Sequence, residues 1–147
     1  MDDARHMRGA LKFAEEHGKC RRRKIACVLV NAEGVEMAGG ANGPPGWSCL
    51  DKPCPDADVP AGDGAYRSVR CHGIHAEVDA LIDLKSEPYP IDDIHTIYCT
   101  KAPCLACAEM LLMTPAQRLV FAVWPNDKSG LEAWSDAGRA YSCLGDG

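Results

Sequence analysis

Two short runs of the chain carry residue types that can do chemistry together: His75-Ala76-Glu77 and Pro103-Cys104-Leu105-Ala106-Cys107. Cys104 and Cys107 stand three apart at the expected start of a helix, so their side chains share one face. The positive end of that helix favours thiolates. Two thiolates at this spacing make half of a tetrahedral zinc site, and His75, at the head of its own helix, supplies a third ligand. Three protein ligands leave a fourth position for water, which distinguishes a catalytic zinc from a closed structural one. Zinc lowers the pKa of such a water from ~15.7 to about 7. Glu77 lies two residues beyond the ligand histidine and is not itself a ligand. It is placed to take the water's proton and pass it to a substrate atom. A CxxC pair alone also fits a redox couple or a zinc knuckle. The same three ligands could build a purely structural site, but such a site has no use for Glu77.

The surrounding elements must bring these runs together. Residues Asp3–Gly18 read as an amphipathic helix, with Met7, Ala10, Leu11 and Ala14 on one face. Strands at Ile25–Val30 and Val35–Gly40 follow, joined as a hairpin by Asn31-Ala32-Glu33-Gly34. From Asn42 to Arg70 the chain has almost no periodicity and is rich in Gly, Pro and Cys. A structureless loop of that length needs something other than an apolar core to hold it. Next come a helix over His75–Leu84, with Val78, Leu81 and Ile82 toward a core, and a strand within Asp92–Thr100. A helix over Cys104–Met113 starts behind Pro103, where proline suits a helix. A strand at Leu119–Trp124, a helix at Gly130–Ala137 and a strand at Ala140–Cys143 complete the order. This α-β-β-α-β-α-β-α-β order predicts an α/β fold, a single three-layer α/β/α domain around one mixed five-stranded sheet.

Composition sets the boundaries. With 147 residues, 46% apolar and 25% charged, the chain has the make-up of one ordinary globular domain. No apolar stretch approaches the ~20 residues of a membrane span, so no membrane partner is expected. The first residues lack a signal-peptide pattern, so the expected location is a reducing cytoplasm. There, nine cysteines point to metal sites and not to disulfides. A net charge of −5 argues against a partner with a long phosphate backbone, although a few local Arg or Lys residues could hold one phosphate.

The segments Ile74-His75-Ala76-Glu77-Val78-Asp79-Ala80-Leu81 and Ile97-Tyr98-Cys99-Thr100-Lys101-Ala102-Pro103-Cys104-Leu105-Ala106-Cys107-Ala108 resemble the cytidine and deoxycytidylate deaminase superfamily. Its zinc enzymes carry His-x-Glu followed by Pro-Cys-x-x-Cys. Within it the chain is most similar to deoxycytidylate (dCMP) deaminases. Lys24–Val30 followed by Gly39-Gly40-Ala41-Asn42-Gly43-Pro44-Pro45 resembles that family's first hairpin and its Gly-Tyr-Asn-Gly turn. A Cys-rich insertion, here at about residues 43–72, is typical of many members. Ala41 stands where the family usually has an aromatic residue, and Thr100-Lys101-Ala102-Pro103 where a Leu-Ser pair is commoner.

The resemblance implies a cytidine deaminase-like fold and zinc-dependent hydrolytic deamination of dCMP to dUMP and ammonia. Activated water would attack cytosine C4, with Glu77 shuttling protons to a ring nitrogen and the leaving amine. It implies that Asn42 binds the deoxyribose and that the backbone of Ala76 reads the base edge. One of Arg21, Arg22, Arg23 or Lys101 would meet the phosphate, and Trp124 would line the pocket or pack at an interface. The bland readings are a turn asparagine for Asn42 and a solvated basic run for the arginines. Cys20, Cys49, Cys54 and Cys71, with His72 as an alternate, are candidates for a second, structural zinc that would organise the insertion. Cys27, Cys99 and Cys143 read as buried small apolar residues. His6, His17 and His95 read as surface or strand residues without chemistry, and Asp79 as solvated. Homo-oligomers and dCTP or dTTP as effectors are further expectations. The alternatives are a deaminase of the same fold acting on 5-substituted dCMP, dCTP, a nucleoside or tRNA adenosine, or a non-catalytic zinc-stabilised interaction module.

Overall fold

The computed structural model describes residues 2–20, 23–43 and 74–145. Five strands form one sheet in the order β2-β1-β3-β4-β5. They are β1 (Ala26–Asn31), β2 (Glu36–Ala41), β3 (Ile94–Lys101), β4 (Arg118–Val123) and β5 (Ala140–Cys143). The pairs β1–β2 and β1–β3 are antiparallel, whereas β3–β4 and β4–β5 are parallel, so the sheet is mixed as expected. The helices are α1 (Asp3–His17), α2 (Ala76–Leu84), α3 (Leu105–Leu111) and α4 (Ser129–Asp136).

Strand alternation divides the core in two. Cys27, Leu29, Ile97, Cys99, Leu119 and Phe121 point to one side, where α2, α3 and α4 contribute Ala80, Leu84, Leu111, Leu131 and Trp134. Val28, Val30, Tyr98, Val120 and Ala122 point to the other, where α1 covers them with Met7 and Ala10. This is the three-layer α/β/α arrangement. None of the described helices is long and apolar enough to cross a membrane.

At its N-terminus α1 is tied to the sheet by polar contacts. Asp3 takes two bonds from Arg118, at 3.2 and 2.6 Å, and one from the Tyr98 hydroxyl at 2.5 Å. The Arg118 guanidinium holds the Asp3 carboxyl below the usual carboxylate range, and burial with the Asp3 charge pushes the Tyr98 phenol up. His6, expected as a surface or strand residue, lies in α1 and is 1% exposed; its Nδ1 lies 3.2 Å from Glu36 Oε1, and its ring packs beside Tyr98.

The buried face of α2 also departs from expectation. Leu81 is partly buried against the core as expected, but Ile82 is 50% exposed, and the fully buried positions are Ala76, Glu77, Ala80 and Leu84. The cause is Gly40. A Cβ placed there would lie 2.2 Å from the Ala80 nitrogen and 2.5 Å from the Ala76 oxygen. The helix backbone is therefore pressed directly on the strand, and only alanine fits between them.

Candidate active site

The reactive residues converge at the open ends of α2 and α3. His75 is the N-cap of α2, with extended backbone and no side-chain capping bond, and its ring turns toward the cysteines. Cys104 is the N-cap of α3, and its carbonyl accepts the Ala108 N–H at 2.8 Å. Two contacts fix the loop ahead of α3. The Ala102 N–H bonds to the Val123 carbonyl at 3.0 Å, tying the end of β3 to β4. Gly130, at the start of α4, packs so closely that a Cβ would sit 2.6 Å from the Pro103 oxygen.

His75 Nδ1 lies 3.2 Å from Cys107 Sγ and 3.7 Å from Cys104 Sγ. All three ligand atoms fall within 4.8 Å of one another. Among the described residues this is the one group of three or more His, Cys, Asp or Glu donors so gathered. Around a tetrahedral zinc, Zn–N and Zn–S bonds of usual length separate nitrogen and sulfur by roughly 3.6 Å. The two observed separations straddle that value, and one imidazole with two sulfurs is a donor set that zinc prefers. The residues fit the ion.

The protonation pattern points the same way. Hydrogen bonds from Cys107 and His75 pull the Cys104 thiol down to about 3, making it the thiolate of the pair. Cys107, which donates to that thiolate and is buried, is pushed up. Glu77 is 5% exposed, on the first turn of α2 beside these groups. Burial raises its carboxyl pKa, while its own backbone N–H and the neighbouring His75 pull it back. A carboxyl held high by burial is the tuning a proton shuttle needs near neutral pH.

The other expected site residues are placed as follows. Ala76 is buried on the first turn of α2. The Asn42 side chain is engaged with the loop ahead of β1: its Oδ1 accepts the Ile25 N–H at 2.8 Å, and its Nδ2 donates to the Arg23 carbonyl at 3.0 Å. Among the described residues the Asn42 amide uses one of its two Nδ2 hydrogens. Lys101 ends β3. Trp124, just past β4, is 49% exposed, with its ring edge-on to Phe121 at 4.9 Å and Lys128 above it at 5.3 Å. Cys20 is partly buried just ahead of β1, Cys27 and Cys99 are fully buried, and Cys143 is only partly so. Arg21, Arg22, Cys49, Cys54, Cys71 and His72 lie outside the described residues.

Sequence reasoning missed the groups that seat α2. Asp79, expected to be solvated, accepts the Ala41 N–H at 3.0 Å, and Asp83 accepts the Gly39 N–H at 3.1 Å. The signal was available: two aspartates four apart share a helix face and can grip successive outward amides of a neighbouring strand.

With this fold and cluster described, the comparison with known proteins is specific. Residues 1–123 match the family described as "Cytidine and deoxycytidylate deaminase zinc-binding region", and the chain belongs to that family. Among curated relatives, the deoxycytidylate deaminase of Mycobacterium phage D29 is 30% identical over 118 residues, covering 77% of this chain and 88% of that protein. The deoxycytidylate deaminase of Saccharomyces cerevisiae (strain ATCC 204508 / S288c) is 29% identical over 113 residues, 75% of this chain. The match spans only 34% of the yeast protein's length. The dCMP deaminase of cyanophage S-TIM5, solved in complex with dCMP and dUMP, shares the fold at a TM-score of 0.74. It has 21% identity and covers 96% of this chain and 95% of that one.

Proposed function

We propose that the protein hydrolyses dCMP to dUMP and ammonia, with His75, Cys104 and Cys107 holding one zinc ion and Glu77 moving the protons. The observation that carries this reading is a buried carboxyl on the same first turn as a histidine whose Nδ1 lies 3.2 and 3.7 Å from two sulfurs. When bound, zinc supplies a Lewis acid with an open position that activates water at neutral pH.

The rest belongs to the chain. Glu77 accepts a proton from the attacking water and delivers it to the N3 ring nitrogen of cytosine. It then takes the remaining proton from the hydroxyl newly bonded to C4 and delivers it to the amine, so that the C4 carbonyl forms as ammonia departs. Its burial keeps bulk water from competing for that proton and raises its pKa above the ordinary carboxylate value. The Ala76 backbone, at the same helix start, reads the base edge, and the second Asn42 amide hydrogen reaches the sugar. A cation among Arg22, Arg23 and Lys101 meets the phosphate, and Trp124 borders the mouth. The D29 relative's name and the S-TIM5 protein's bound dCMP and dUMP support this nucleotide over other substrates of the family.

We further read the chain as a single domain with a Cys-rich insertion at about 43–72, in which Cys20, Cys49, Cys54 and Cys71 hold a second zinc. The protein is read as a cytoplasmic homo-oligomer open to dCTP and dTTP as effectors. Ammonia release from dCMP, dCTP, deoxycytidine, tRNA, and 5-methyl and 5-hydroxymethyl dCMP, assayed side by side, tests the substrate. The highest kcat/KM is expected for dCMP. Turnover of another substrate with dCMP left intact would overturn the assignment.

A further inference from the structure

The active site is assembled from two pieces that approach each other across the sheet edge. One is the first turn of α2, with His75 and Glu77. The other is the end of β2 and the turn beyond it, with Asn42. Among the described residues β2 is the outermost strand on its side, with no neighbouring strand there to satisfy its outward amides. In this fold α2 satisfies them. Asp83 takes the Gly39 N–H, the Gly40 backbone abuts Ala76 and Ala80, and Asp79 takes the Ala41 N–H. One step further along, Gly43 and Ile74 exchange two backbone bonds at 3.1 and 2.7 Å, immediately before His75.

We infer that Asp79 is a positioning residue for the proposed reaction, a strut between the helix that carries Glu77 and the strand end that presents Asn42. Its carboxylate leaves α2 half a turn after Glu77 and holds the amide of the residue directly before Asn42. Moving Asp79 therefore changes the offset between the proton shuttle and the sugar contact. Asp83, one helical turn further on, holds the same strand farther from the site and sets no such offset. The bond needs an acceptor of this length at position 79: asparagine can supply it through its Oδ1, whereas alanine and serine cannot.

This inference rests on the dCMP reading above, and the experiment separates the two. The zinc-loaded full chain is compared as wild type, Asp79→Ala, Asp79→Asn and Asp83→Ala, measuring metal content, thermal midpoint and kcat/KM for dCMP and for CMP. Asp79→Ala is expected to keep its metal yet lose about tenfold to a hundredfold in kcat/KM for dCMP. Its preference for dCMP over CMP, which depends on where Asn42 sits, should shrink. Asp79→Asn should restore both rate and preference. Asp83→Ala should lower the midpoint while keeping the wild-type preference, since a general loss of stability scales both substrates alike. If Asp79→Ala does not fold, Asp79→Ser carries the same test. A wild-type preference in the Asp79→Ala or Asp79→Ser protein, or an equal shift in Asp83→Ala, overturns the inference and leaves the proposed function standing. A wild-type enzyme inert toward dCMP overturns both.

Discussion

Gly40→Ala is the smallest change that should separate the catalytic groups without touching any of them. The added Cβ would lie 2.2 Å from the Ala80 nitrogen, 2.5 Å from the Ala76 oxygen and 2.7 Å from the Asp79 carbonyl carbon. These are backbone atoms of α2, and no side chain can swing away to make room. To reach an ordinary contact of 3.4 Å the helix must retreat by about 1.2 Å, carrying His75 and Glu77 with it. A displacement of about 1 Å in positioned catalytic groups lowers the rate by roughly a hundredfold. Overpacking of this kind destabilises by about 1–3 kcal/mol.

The adjacent glycine is the control. A Cβ at Gly39 meets the Phe13 ring of α1 at 3.4 Å, ordinary contact on the opposite face of the sheet. Steady-state kinetics on dCMP and thermal unfolding of both variants give the comparison. Gly40→Ala should fall by about two orders of magnitude in kcat/KM, with Gly39→Ala staying within about threefold of wild type. Equal activities in the two variants, or greater damage from Gly39→Ala, would refute the claim that backbone contact with Gly40 seats the catalytic helix.

Other outcomes follow from the same geometry. Glu77→Gln should retain metal by elemental analysis while losing about 10²–10⁴-fold in kcat, the usual contribution of general acid–base catalysis. Cys107→Ala should lose both metal and activity, because it removes one of the three donors gathered among the described residues. Asp3, whose pKa is depressed by Arg118, stabilises the fold fully above its ordinary value of 3.8, and that contribution is lost as pH falls through the lower folded-state value. Urea midpoints of wild type and Asp3→Asn should therefore differ most near neutral pH and converge in strong acid. Arg139 bonds the carbonyls of Leu112, Thr114 and Ala116 behind α3. Arg139→Ala should lower the thermal midpoint by several degrees, and lysine should recover only part of the loss, having no planar fork.

The parts that were legible in the sequence were those with a local signature. Short runs in Ile94–Lys101 and Arg118–Val123, nearly continuous in their buried positions, mark strands because both faces of the sheet are covered by helices. The His75, Glu77, Cys104 and Cys107 constellation is readable because metal chemistry restricts residue type and spacing. What escaped depends on contacts between distant segments. Asp79 looks like any exposed helical carboxylate until β2 is laid beside α2, and Gly40 looks like turn material until Ala80 is packed on it. His6 escaped for the same reason: its burial comes from packing beside Tyr98, 92 positions away in the chain on the sheet face that α1 covers, with ring centroids 5.0 Å apart. Ile82 has the right residue type for a core, but the close α2–β2 approach leaves that face to alanines.

The central claim is that one imidazole and two sulfurs hold the zinc on which dCMP turnover depends. The direct test follows dUMP formation from dCMP by chromatography with the protein as purified, after chelation, and after zinc is restored, with bound metal measured at each stage. Activity should disappear with the metal and return in proportion to zinc taken up, and His75→Ala should take up less zinc and stay inactive. Chelated protein that still forms dUMP, or a His75→Ala protein that does so, would contradict the account.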